Sequence, residues 1–366
     1  MKRVFKLSIF IATLLSISAC SKNEVKNDGI NYENCIRFST YVDRAPASKG
    51  LITNSDNLEI YGFGVLAYYT YEADWNQNFI PNYMYNTKVS GGDWSYSPVK
   101  YWPVDNQKLS FFAYAPHNES NNGITISPAD YAGTPTLTYQ LQEDCGVDIV
   151  SDVVLNRSKG ENGNNKVDFK FNHILSKINF TASDGVNDPN TQINIKSVKF
   201  SSVKLVQEDV YTFPATAEDS DQGSWATSTA TAFVPSHASP FSEIIAVPTP
   251  QNYGGVNTTD GIALLPNTGK KVSMCATDQY LFLIPGDLEL TVAIEYEIIT
   301  RDHNLASGYV ITAGEMLGTL PAGTLTLEQG KAYAINFKIT ENVLSPIEFG
   351  ATVSGWDSTS SVEIVL

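Results

Sequence analysis

Four cysteines and four histidines carry the widest chemical repertoire in this chain of 366 residues. His117, His173, His237 and His303 are dispersed, and none has a second ligand at metal-binding spacing. Cys35, Cys145 and Cys275 form no CxxC or Cys/His pattern, so buried or free thiols are expected rather than a disulfide framework or a zinc site. HExxH, GxSxG and phosphate-loop motifs are missing, and YGFG at 61–64 reads as a strand with glycines. No carboxylate pair is singled out for glycoside hydrolysis, a reaction that depends on separation in space. The expectation is a non-enzymatic chain with no metal and no cofactor. Cys20 is different, because the small pair Ser18-Ala19 precedes it and leaves its thiol open to acylation.

The residues ahead of Cys20 supply the context. Lys2, Arg3 and Lys6 form a basic start, and 7–17 is an apolar stretch too short to span a bilayer as a mature helix. This predicts a signal peptide over 1–19, and Ile17-Ser18-Ala19-Cys20 resembles a bacterial lipobox with Cys20 as the lipidated residue. Each buried CH₂ of an acyl chain contributes about 0.8 kcal/mol, so two or three chains tether a protein firmly. Losing the three basic residues of the leader takes the formal charge from −15 to −18. Nucleic acid is excluded as a partner, since binding phosphates needs a basic surface.

Beyond a polar tether over 20–35, the composition is that of an all-β protein. Tyr, Thr, Val, Ile and Phe recur in short runs broken by Gly, Pro, Asn and Asp, and only 17% of residues are charged. In CIRFSTYV, Ile36, Phe38, Thr40 and Val42 alternate with Arg37, Ser39 and Tyr41, and the turn-forming DRAPASKG follows. Strands are predicted at 58–71, 108–114, 123–126 and 136–139, then at 177–182, 193–201, 242–247, 280–284, 289–300 and 331–339. TVAIEYEII is the most regular of these and reads as the middle of a sheet. The polar run NRSKGENGNNK at 156–166 reads as a linker, giving sandwich domains over 36–160 and 161–366. Near the C-terminus, IEFGATVSGW places Ile347, Phe349, Ala351 and Val353 on one face of an extended segment that needs a core.

In WSYSPVKYWPVDNQKLSFFAYAP (94–116), Tyr101 and Trp102 are expected to cap a core, Pro103 to stop the strand and Phe111 to pack inward. Tyr68, Tyr69, Tyr71, Trp75 and Tyr83 could stack on sugar rings, but are read first as core and rim. The 94–116 stretch resembles the fimbrillin family, Mfa-like type, which builds type V pili of Gram-negative gut and oral bacteria. FKFNHILSKINF (169–180), with His173 expected as a packed or hydrogen-bonded residue at a strand start, and LEQGKAYAINFKI (327–339) followed by IEFGATVSGW resemble further blocks of that family in the same order.

The resemblance implies a lipoprotein precursor with two transthyretin-like antiparallel β-sandwich domains, carried to the outer membrane and cell surface. It implies polymerisation with other pilus subunits by strand exchange once a trypsin-like protease has cut behind the first strand. Mapped onto this sequence, the lipid falls on Cys20 and the removable strand on 36–42. The cut falls on Arg44, with Arg37 and Lys49 as alternatives, and the donor region on 347–366 with Ile347, Phe349, Ala351 and Val353 as its apolar face. Partners would be neighbouring subunits, the membrane, the protease and a host or bacterial surface glycan or protein, with a role in adhesion or biofilm formation. The alternative is a monomeric glycan-binding surface lipoprotein of a nutrient-uptake system.

Overall fold

The computed structural model describes residues 34–42, 55–104, 106–120, 122–161, 165–186, 188–216, 222–233, 243–245, 251–253, 256–258, 262–263, 270–274, 280–339, 348–356 and 361–365. Cys20, Arg44, His237, Cys275 and Ile347 lie outside these residues. Among the described residues no helix is long and apolar enough to cross a membrane.

The first half forms β1 (Arg37–Val42), α1 (Ser55–Tyr61), β2 (Phe63–Tyr71), β3 (Met84–Val89), β4 (Lys108–Ala115), β5 (Ile124–Ile126), β6 (Thr136–Gln140), β7 (Val150–Ser158) and β8 (Lys166–His173). FGVLAYYTY and KLSFFAYA have no polar face to offer water, a pattern that belongs to strands covered on both sides. They become β2 and β4 at the centre of a sheet ordered β1-β8-β7-β4-β2-β3. Phe63, Val65 and Ala67 join Leu109, Phe111 and Ala113 on one side, while Leu66, Tyr68, Phe112 and Tyr114 join the core on the other. Gly64 lies opposite Tyr114, and a Cβ there would collide with the tyrosine ring; Tyr296 and Gly314 repeat the arrangement in the second half. Residues 58–61, expected as strand, form the last turn of α1, because Gly62 takes φ 73° and its N–H closes the turn on the Leu58 carbonyl at 2.8 Å.

The second half adds β9 (Ser176–Asp184), β10 (Thr191–Leu205), β11 (Glu208–Thr212), β12 (Ser224–Trp225), β13 (Glu289–Arg301), β14 (Tyr309–Leu320), β15 (Lys331–Ile339), β16 (Glu348–Gly355) and β17 (Ser361–Val365). β13 is TVAIEYEII and lies between β10 and β14, with Val292, Ile294 and Tyr296 buried. Its outer face is ruled by cross-strand ion pairs, Lys199–Glu295 at 2.5 Å and Lys204–Glu289 at 2.9 Å. The opposing sheet runs β9-β15-β16-β17, and the two enclose Ile195, Val198, Phe180, Ile335 and Phe337.

The polar run 156–166 connects β7 to β8, which pair in one sheet through Val150↔His173 and Ser151↔Asn172. β11 pairs β6 in a small sheet that covers the first, with Phe213 edge-on to Phe112 at 6.1 Å. The first sandwich therefore takes strands from both sides of the expected 160/161 boundary, and its core continues into the second through Ile149, Ile174 and Trp225. Among the described residues most ladders are antiparallel, with two parallel exceptions: β1 on β8 and β15 on β9.

Phe38 is 4% exposed and meets Phe63, Tyr96, Phe111 and Phe169 at ring-centre distances of 5.9, 5.4, 6.2 and 5.9 Å. Phe38→Ala should cost about 3–5 kcal/mol of stability, read from the shift in denaturant midpoint. A loss under about 1 kcal/mol would mean that the cluster does not depend on β1.

Candidate assembly site

The sequence pattern of β1 explains how it is held. Ile36, Phe38 and Val42 are buried among the aromatic side chains, and Tyr41 on the opposite face is 56% exposed. Thr40 is half-buried and breaks the apolar row, and its buried hydroxyl has no hydrogen-bond partner among the described residues. The ladder to β8 runs in register from Arg37↔Lys166 to Val42↔Phe171, and Ser39 donates to the Asp168 carboxylate. β1 is the terminal strand of its sheet.

The strand's entry is clipped by the aromatic loop. The Ile36 N–H donates to the Lys100 carbonyl and the Trp102 N–H to the Asn34 carbonyl, both at 2.9 Å, while Cys35 bridges Tyr101. The Tyr96 hydroxyl donates to the Ile36 carbonyl at 2.9 Å, and Trp102 Nε1 to the Asn165 carbonyl at 3.0 Å. Trp102 caps the core as expected, but its companion is Tyr96 rather than Tyr101, which is 36% exposed. Tyr101 lies in the bridge to Cys35, and in such extended chain adjacent side chains point to opposite faces.

The expected donor segment is paired on both edges. β16 runs antiparallel to β15 from Lys331↔Gly355 to Lys338↔Glu348, placing Phe349 opposite Phe337, Ala351 opposite Ile335 and Val353 opposite Tyr333. β17 covers its other edge, with Val353↔Val362 and Ala351↔Ile364. Ala351 is fully buried and Val353 half-buried. The outermost strand at this end is therefore SVEIV, and EFGATVSG lies one strand in.

Trp356 ends this segment against a buried polar cluster that sequence patterns did not disclose. Its ring stacks on His173 at 4.2 Å and 12°, and on Phe282 at 5.7 Å. His173, at the end of β8 rather than at a strand start, sets Nδ1 3.0 Å from Asp148 Oδ2. Lys177 Nζ lies 4.1 Å above Tyr280 and 5.6 Å from the centre of Trp356. Burial pushes the Asp148 carboxyl above its usual range, and the histidine opposes the rise. His173→Ala leaves a buried carboxyl without its partner and should cost about 3–5 kcal/mol at neutral pH. Since the orphaned Asp148 takes up a proton as pH falls, the gap to wild type should narrow on acidification. A gap that stays constant across the titration would show that the ring acts through packing alone.

The remaining candidate residues are dispersed. His117 is buried on the Asn86 carbonyl at 3.2 Å, and His303 lies in a turn. Cys35 and Cys145 are buried, and burial pushes the Cys145 thiol up to about 12. Among the described residues no cluster of His, Cys, Asp and Glu could hold a metal ion. Of the aromatics, Tyr68 is fully buried and Trp75 packs on the core, whereas Tyr69 and Tyr83 are half-buried against the first core and Tyr69 meets the exposed Tyr71 at its edge.

The described residues form β-sandwiches, and the first sheet ends in the terminal strand β1. A family model described as fimbrillin-like matches residues 44–356, and the chain belongs to the fimbrillin-like family. Fimbrium subunit Fim1C of Phocaeicola vulgatus is 27% identical over 390 residues, spanning 98% of each chain. A crystal structure of a fimbrial protein from Bacteroides vulgatus shares the fold, with a TM-score of 0.66 at 23% identity over 88% of this chain and 99% of that one. The protein is a fimbrial subunit, a component of an extracellular cell-surface appendage built from such subunits.

Proposed function

We propose that the chain is the precursor of a pilus subunit that reaches the outer membrane as a Cys20 lipoprotein and polymerises by donor-strand exchange. A trypsin-like protease cuts after Arg44, β1 leaves, and the apolar face carrying Ile347, Phe349, Ala351 and Val353 from a neighbour fills the vacated groove. The polymer serves adhesion or biofilm formation. The observation that carries this reading is the setting of β1: three apolar side chains in an aromatic groove, on a terminal strand joined by a ladder on one side. Once such a strand is gone, the N–H and C=O groups of β8 and the empty side-chain sites are a template for another strand.

N-terminal sequencing of the protein exposed on cells tests the processing step. A start at Ala45 is expected, and a blocked Cys20 on the polymerised form would sink the proposal. Because β16 is an inner strand here, donation requires the β16–β17 pair to leave β15 first. That requirement makes the C-terminal contacts of Trp356 a part of the assembly barrier.

A further inference from the structure

At the end of the first sheet where β2 meets β4, the ladder slips between Tyr69 and Tyr71. Tyr71 takes φ 57°, a left-handed conformation that is costly for an aromatic side chain and that persists where the surroundings impose it. The result is a surface group of rings: Tyr71 lies 4.3 Å from Tyr69 at 35°, and Tyr69 lies 5.8 Å from Tyr83. Tyr71 is 58% exposed.

The rings are fixed before any partner arrives. The Tyr69 hydroxyl donates to Gln107 Oε1, and the Tyr83 hydroxyl to the Tyr101 carbonyl. Asn82 holds the Tyr69 backbone from both sides, accepting from its N–H at 2.8 Å and donating to its carbonyl at 3.4 Å. Lys100 sets its ammonium 5.3 Å from the centre of Tyr83. Preset aromatic rings give contact area at little cost in conformational freedom.

We propose that Tyr69, Tyr71 and Tyr83 form a stacking platform for the pyranose rings of a surface oligosaccharide. A pyranose presents a flat C–H face to an aromatic ring and a rim of hydroxyls to hydrogen-bonding neighbours. Gln107 retains both amide donors after accepting from Tyr69, and Lys100 supplies a cation at the same rim. A second protein molecule fits less well, since a stable protein interface covers roughly 800 Å² per partner and this group is a few side chains wide. None of its rings lies on β1 or β16, but Lys100 and the Tyr101 carbonyl sit on the loop clipped to the entry of β1, so the uncut chain is the form to test.

The uncut full-length chain, without its leader, is applied to an array of neutral and sialylated oligosaccharides. Retention on at least one pyranoside is expected, with Tyr71→Ala weakening it tenfold or more and Lys100→Ala weakening it measurably. Tyr131→Ala, a comparably exposed tyrosine outside the group, should leave retention unchanged. Thermal unfolding of Tyr71→Ala should match wild type, which separates loss of the platform from loss of the fold. The assignment is overturned if no oligosaccharide is retained, or if Tyr131→Ala and Tyr71→Ala weaken retention equally. It is also overturned if Tyr71→Ala abolishes self-association in light scattering while array binding survives. These outcomes leave polymerisation untouched, so failure here and failure of strand exchange are read separately.

Discussion

Processed protein lacking residues 1–44 should lose most of the stability of its first sandwich, and a synthetic peptide of sequence IRFSTYV should restore it. Burying a large apolar side chain contributes about 1.5–3 kcal/mol. Ile36, Phe38 and Val42 are all buried, so the departing strand removes about 5–9 kcal/mol of apolar stabilisation, comparable with the whole stability of an ordinary domain. Calorimetry should show the melting transition of the processed monomer falling by at least about 10 °C, at roughly 2–4 °C for each kcal/mol. The peptide should raise it again in proportion to its concentration, as any ligand of the native state does. An unchanged transition after cleavage would mean that β1 is an ornament of the sheet, and strand exchange would lose its driving force. Arg44→Ala should leave the chain uncut and melting as the precursor does.

Removing residues 347–366 from processed protein should abolish polymers altogether. Electron microscopy and size-exclusion chromatography would show filaments for the parent and a single monomer peak for the deletion. The same deletion strips β15 of its partner and uncovers Ile335 and Phe337, so a subtler variant is needed beside it. Val353 is half-buried against the core of its own sandwich, so Val353→Asp should cost the precursor stability as well as placing a carboxylate in the neighbour's apolar groove. Tenfold fewer polymers from Val353→Asp than from a variant destabilised equally at a site away from both ends of the chain is the expected result. Filaments from either variant at parental yield would assign donation to another segment. Val362→Asp and Ile364→Asp on β17 would then be the informative pair, because that strand is the outermost at this end of the sheet.

Much of this architecture could be read from side-chain type and spacing. The alternation of TVAIEYEII placed Val292, Ile294 and Tyr296 on the core face because strand geometry has a fixed period of two, and no distant contact can change it. The apolar runs of β2 and β4 likewise read as strands, although their burial on both faces emerged only with the sheet order. β7, β8, β11 and β14 were less legible: VSDVVLNRS and KVDFKFNH carry polar residues at positions that become one solvated face, and so resemble the loop between them.

Pairing partners are another matter. Nothing in IRFSTYV states that it lies parallel to KVDFKFNH, because the register depends on which edge remains open after the intervening strands have folded. The Asp148–His173–Trp356 cluster joins residues from three separated segments, and no local period marks them. Tyr69 and Tyr71 read as rim residues until the slipped ladder drew their rings together. By itself the sequence determined the all-β class, the alternating faces and the family resemblance, since these follow from local geometry and composition. Only the tertiary structure decided that β1 closes an aromatic groove and that EFGATVSG sits one strand inside its sheet, since edges and neighbours exist only once the whole chain has packed.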